Sequence, residues 1–198
     1  MAFLPAPESL EALERSFRQL ERLMRALGDE VGTLWSDAMR LFLDAHPSSD
    51  RIKPERKRRL LRAAVLTAAG AFESLTNFLS EMVIEKGSVE GRPLDAAEID
   101  ALRETRRFLE GGRLKERKQL YNSKDRFMFL YQIISGGKEY ESGLAGELNA
   151  SFGVRDRLVH PKPGRSTEIF DVPMLSRAFF GFLRADMVLA AEWERRNS

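Results

Sequence analysis

An all-α fold is what this sequence predicts. Three observations carry that expectation. Helix-favouring Leu, Ala, Glu and Arg dominate its 198 residues. The first segment repeats its apolar residues with a helical period. Later segments are bounded by caps and breakers of the kind that start and stop helices. Apolar residues make up 43% of the chain, enough for a core, and charged residues 31%.

The first element spans ESLEALERSFRQLERLMRALGDEVGTLWSDAMRLFLDAH. Leu10, Leu13, Phe17, Leu20, Met24, Leu27, Val31, Leu34, Ala38 and Leu41 fall three and four apart throughout, a heptad seam. Gly28 and Gly32 lower helix propensity without disturbing the phase, so one long helix, kinked near Gly28, is expected. It ends at His46-Pro47-Ser48-Ser49. Such a seam buries itself on this chain or on a second copy. Residues 1–50 are accordingly set apart as a packing or dimerisation arm, and residues 51–198 as a helical domain.

That domain opens with a helix from Pro54, suited to a first turn, to about Lys86. Its start carries Arg51, Lys53, Arg56, Lys57, Arg58, Arg59 and Arg62, where cations oppose the helix dipole. A surface for RNA or an acidic partner and a solvated charge run both account for them. The following AAVLTAAGAFESLTNFLSEMVI is apolar on most sides and belongs at the centre of a bundle. Glu73 and Asn77 stand one turn apart within it. Glu73 either lies at the helix edge or holds an arginine. The first of these alternatives has Asn77 bonding a neighbouring backbone.

Asp95 and Glu98 form a capping box for a helix reaching Glu110, where Gly111-Gly112 stops it. RLKERKQLYNS reads as part helix, part loop. Ser123 caps DRFMFLYQIIS, which Gly136-Gly137 closes. A helix from near Ser142 presents Leu144, Leu148 and Phe152 to the core. Asp171 caps the last helix, with Pro173 in its first turn. The count is five or six helices.

Composition excludes several chemistries. There are no cysteines and only two histidines, so thiolate sites and His-rich metal sites have no ligands. No phosphate-binding glycine loop is present. No apolar run is long enough to span a bilayer, and the N-terminus lacks the features of a signal peptide, so a cytoplasmic protein without membrane contact is expected. The net charge is +2, which neither demands nor forbids a nucleic acid. Arginine outnumbers lysine 24 to 8. That suits phosphate recognition, and a GC-rich coding sequence explains it equally.

The stretch FGVRDRLVHPKPG concentrates the remaining chemistry. The residue before a proline avoids helical dihedrals, so the helix should end at His160, where the negative end of its dipole favours a protonated ring. Arg155 lies five residues earlier, about 140° around the helix.

Arg155, Asp156 and His160-Pro161, preceded by an apolar helix bearing Glu73 and Asn77, resemble the HEPN superfamily over about residues 54–195. The resemblance implies a helical bundle, commonly dimeric. Many members are metal-independent ribonucleases of toxin–antitoxin, phage-defence or RNA-processing systems, and others bind without cutting. It makes Arg155 and His160 the expected catalytic pair. A 2′-hydroxyl attacking its own phosphate needs a proton acceptor or donor and a fixed cation, roles that suit His160 and Arg155. Asp156, Glu73 and Asn77 are expected in support, and Arg157 and Lys162 on flanking phosphates. No metal or cofactor is expected. RNA, a second copy of the chain and an antitoxin or other protein are the expected partners.

Overall fold

The computed structural model describes residues 10–45, 52–89, 91–110, 113–118, 122–160 and 170–197. Among them are seven helices: α1 Leu10–Leu27, α2 Asp29–Asp44, α3 Pro54–Lys86, α4 Ala96–Leu102, α5 Ser123–Ser135, α6 Ser142–Val159 and α7 Val172–Asn197. Two small antiparallel ribbons join them, β1 Ser88–Val89 with β2 Arg92–Pro93, and β3 Thr105–Glu110 with β4 Arg113–Lys118. The fold is thus mainly helical, and no described helix is long and apolar enough to cross a membrane.

The expected long N-terminal helix is instead a hairpin. Gly28 leaves helical geometry with ψ 136°, and α2 folds back along α1. Phe17 and Phe42 lie 6.1 Å apart between ring centroids. In a straight helix their separation would be about 38 Å. The backbone at Gly28 is extended, which any residue adopts. Gly32 is the glycine the turn requires, because a Cβ there would sit 2.9 Å from Arg25 Cα and against its Cγ. The bend also shifts the apolar stripe. Val31, Trp35, Ala38, Met39 and Phe42 are buried, while the heptad positions Leu34 and Leu41 are only half-buried.

The hairpin closes on its own chain. Phe42 stacks on Phe179 of α7 at 4.4 Å, and Phe17 and Trp35 meet the same ring. Behind α7, Phe72 of α3 touches one ring from each remaining long helix: Phe127 of α5, Phe152 of α6 and Phe182 of α7. These two aromatic clusters form one continuous apolar core. Aromatic pairs at such spacing add roughly 0.5–1.5 kcal/mol each beyond their burial.

Among the described residues, a polar contact crosses the core. The Trp35 indole N–H donates to Asp186 Oδ2 at 2.8 Å, and both residues are fully buried. Burial pushes the Asp186 carboxyl well above the usual range, and the Trp35 bond only partly opposes this. Asp186 Oδ1 has no hydrogen-bond partner among the described residues.

Helix ends follow local chemistry. Pro54 starts α3, and Gly87, at φ 64°, terminates it. The capping box of Asp95 and Glu98 forms, and Asp171 accepts from Met174 N–H at 2.7 Å. Two expectations are corrected. Asn122, not Ser123, caps α5, accepting from Lys124 N–H. The helix from Asp95 does not reach Glu110. It ends at Leu102, Glu104 turns left-handed at φ 54°, and residues 105–110 pair with 113–118 as strands. The Gly111-Gly112 stop expected for that helix lies outside the described residues.

The helix bearing residues 142–159 is seated by a glycine opposite it. A Cβ on Gly181 of α7 would lie 3.1 Å from the Glu147 carbonyl oxygen and collide with the Ser151 hydroxyl. Only a bare backbone there lets α6 approach α7 this closely.

Candidate functional site

The C-terminal turns of α6 meet the middle of α3 and the start of α5. Arg155 spreads its guanidinium between two carboxylates. One nitrogen donates to Glu73 Oε1 at 3.3 Å, the other to Asp156 Oδ1 at 3.0 Å. Glu73 Oε1 also accepts the Ser123 hydroxyl at 3.1 Å. Glu73 therefore joins three helices and fixes where Arg155 stands. The pair is not sealed: the two side chains are 31% and 35% exposed, and Asp156 is 59% exposed. An exposed bond of the Asp156 kind is worth little and exchanges readily with another anion.

Asn77 stands one turn along α3 from Glu73 and accepts a hydrogen bond from Arg126 of α5. It bonds this side chain, and the backbone partner belonging to the helix-edge alternative is not what the structure shows. Arg126 also reaches Glu104 at 3.6 Å, at the root of the β3–β4 ribbon. Burial works against the Arg126 charge, which the acids Glu104 and Glu81 favour. Glu73 and Asn77 thus each hold an arginine from another helix. Ser123, Arg126 and Glu104 complete the arrangement without having been expected in it. The legible signal was Arg126, a cation within the apolar run RFMFLYQII.

His160 is the residue at which α6 ends. Its φ and ψ of −120° and 69° leave the helix, and its N–H donates to the Asp156 carbonyl at 2.8 Å. The residue is exposed. No hydrogen bond joins it to Arg155 among the described residues, as their separation around the helix anticipates.

The structure does not gather every expected residue. Arg157 lies on another side of α6. It bonds the Gly153 carbonyl, approaches Met174 Sδ at 3.6 Å and stacks 5.6 Å over Phe170. There it lines an α6–α7 cleft of about 870 Å³ together with Arg177 and Arg184. Lys162 and Arg51 lie outside the described residues. Arg62, from the basic start of α3, covers Phe170 at 5.2 Å. Among the described residues no group of three or more acidic or histidine side chains is placed to hold a metal ion.

Chemically, the site offers a guanidinium positioned from behind by Glu73, one exchangeable carboxylate in front, and an imidazole on the same helix end. No family model, curated protein or solved structure matches the chain.

Proposed function

We propose that the chain is a HEPN-type endoribonuclease that cleaves RNA without a metal. The observation that carries this reading is Arg155: Glu73 fixes it from a neighbouring helix, yet it stays 31% exposed beside the helix end that bears His160. A phosphate replacing Asp156 would find a charge-assisted, bidentate partner. The RNA 2′-hydroxyl then attacks the adjacent phosphorus, its proton passing to an imidazole. The bond to the 5′-oxygen breaks, and a protonated imidazole gives its proton to that leaving oxygen. The products are a 2′,3′-cyclic phosphate and a 5′-hydroxyl.

The exchange needs an acceptor and a donor, and each chain carries one His160. Two copies meeting at this end supply both. Leu66 and Val159, large apolar side chains exposed among the described residues, support that pairing. Leu66 lies two turns from Glu73 on the same stripe of α3, and Val159 one turn beyond Arg155. A toxin–antitoxin or phage-defence role, with a neutralising protein partner, suits such an activity.

The test is RNA cleavage by the purified chain in EDTA. His160→Ala and Arg155→Ala should each lower the rate by about 10²-fold or more, and wild type should leave cyclic phosphate ends. Wild-type rates in both variants would overturn the reading. The second reading is a non-catalytic HEPN-like module binding RNA or protein. It is favoured by the two carboxylates already on Arg155 and by its lack of a bond to His160. Binding without turnover would establish it.

A further inference from the structure

The first turns of α3 carry charge that neither the core nor the candidate site uses. Lys53, Arg56, Lys57, Arg58, Arg59 and Arg62 stand there against the single acid Glu55. Lys53, Arg56, Arg59 and Arg62 are exposed. Among the described residues no ion pair or hydrogen bond engages the side chains of these six cations. Cations at this end of a helix oppose its dipole, so the cluster works against stability.

The charge is aligned with the candidate site. At 100° per residue, Arg59, Arg62 and Leu66 lie within about 40° of the direction of Glu73 around α3. That stripe ends at Arg155, which Glu73 holds at 3.3 Å. The contacts of α6 follow the same direction. Arg155 meets Glu73, and Arg157 shares the Phe170 ring with Arg62, at 5.6 and 5.2 Å from its centroid. The end of α6 therefore lies along the stripe, and the cations of α3 continue the charge of Arg155.

An anion that meets both ends must repeat its charge over the distance between them. Arg62 lies about 16 Å along α3 from Glu73. Stacked nucleotides of one strand rise about 3.4 Å per step, so about five of them cover that span. Arginine forks bind phosphate oxygens in pairs, and a strand's backbone offers them at every step.

We infer that the Arg59–Arg62 stripe of α3 is a track holding an RNA strand about five nucleotides away from the phosphate bound at Arg155. Arg59 and Arg62 bind backbone phosphates, so the track positions RNA without reading its sequence. In a pair of copies joined at Leu66 and Val159, the two tracks border the joint. The inference rests on the reading of Arg155 as a phosphate-binding group of an RNA site.

The test uses the full chain in a His160→Ala background, so the RNA stays intact. It compares Arg59→Gln, and Arg59→Gln plus Arg62→Gln, with the parent. Binding of fluorescent random-sequence RNA of 4 and of 12 nucleotides, and of a 12-residue polyglutamate, is followed by anisotropy across a potassium chloride series. The double variant should bind the 12-mer about tenfold more weakly at 0.1 M salt, with a salt slope lower by about 1.4, two phosphates' worth. The 4-mer, too short to span the track, should change less than about twofold. Arg59→Gln alone leaves the Arg62 contact with Phe170 in place and should lower the slope by about 0.7. Thermal midpoints of that variant should stay level or rise, since a cation opposing the dipole is gone. Unchanged 12-mer affinity and slope, with wild type still cutting RNA, would overturn the track alone. Polyglutamate held as tightly as the 12-mer would replace RNA with an acidic protein partner. Variant-sensitive RNA binding by a wild-type chain that does not cut would keep the track and overturn cleavage. A wild-type chain that neither binds nor cuts RNA would overturn the reading of the site, and the track with it.

Discussion

Two of the polar contacts that tie distant helices of this bundle together differ in burial and in what can replace them. Trp35 and Asp186 join α2 to α7 inside the core, fully buried, at 2.8 Å. Glu73 and Arg155 join α3 to α6 at the rim, about a third exposed, at 3.3 Å. The buried contact has no alternative partner, so losing one member strands the other without solvent. The rim contact keeps one side open, so an incoming anion can compete for the guanidinium. The first contact specifies the fold, and the second holds a charge ready for use.

Substitutions should separate the two. Trp35→Phe is expected to cost roughly 2–4 kcal/mol in urea denaturation, because it strands a buried carboxyl and opens space in the core. Folded protein should keep its RNA activity. Gly181→Ala should follow, at about 1–3 kcal/mol. It lies between the two regions, near Asp186 on α7 and against Ser151 one turn before Arg155. It should therefore disturb both stability and activity.

Asp186 gives the core a pH signature. Burial holds its folded carboxyl above the ordinary range, so the folded chain keeps a proton that the unfolded chain releases. Its contribution to stability is fully present below the unfolded pKa, about 3.9, and declines as pH rises toward the raised folded value. Urea midpoints of Asp186→Asn against pH should lack that decline. Smallest in stability is Glu73→Gln, at under about 1 kcal/mol. Its RNA cleavage should nevertheless drop roughly tenfold or more, because Arg155 loses its fixed position. A Glu73→Gln protein that is strongly destabilised yet fully active would reverse the contrast.

Much of this was legible where chemistry is local. The bounds of α3, the capping box at Asp95, the Asp171 cap and the end of α6 at His160 each depend on a few adjacent residues. The pair formed by Arg155 and Glu73 was one of two readings, because an acid in an apolar helix needs a partner or an edge. Elsewhere local rules competed. The heptad spacing runs through Gly28 unbroken, so periodicity alone favoured a straight helix, and the bend came from packing on Phe179. In sequence a Gly-Gly pair reads equally as a helix stop and as a hairpin turn, so residues 105–110 read as helix although they pair with 113–118. Bonds such as those from Ser123 to Glu73 and from Trp35 to Asp186 span 50 and 151 residues. No short window contains them.

The bend at Gly28 has a consequence for assembly. The heptad spacing of the sequence runs through it unbroken, and the extended backbone at residue 28 imposes no strain. Swung open, α1 would prolong α2 and carry Phe17, Leu20 and Met24 to the α2–α7 surface of a second copy. An exchanged pair would remake the contacts of the closed hairpin, so protein concentration and the stiffness of residue 28 would set the balance between the forms. Gly28→Ala, whose Cβ would meet only the Phe78 ring at 3.8 Å, favours the continuous helix and with it the exchanged pair.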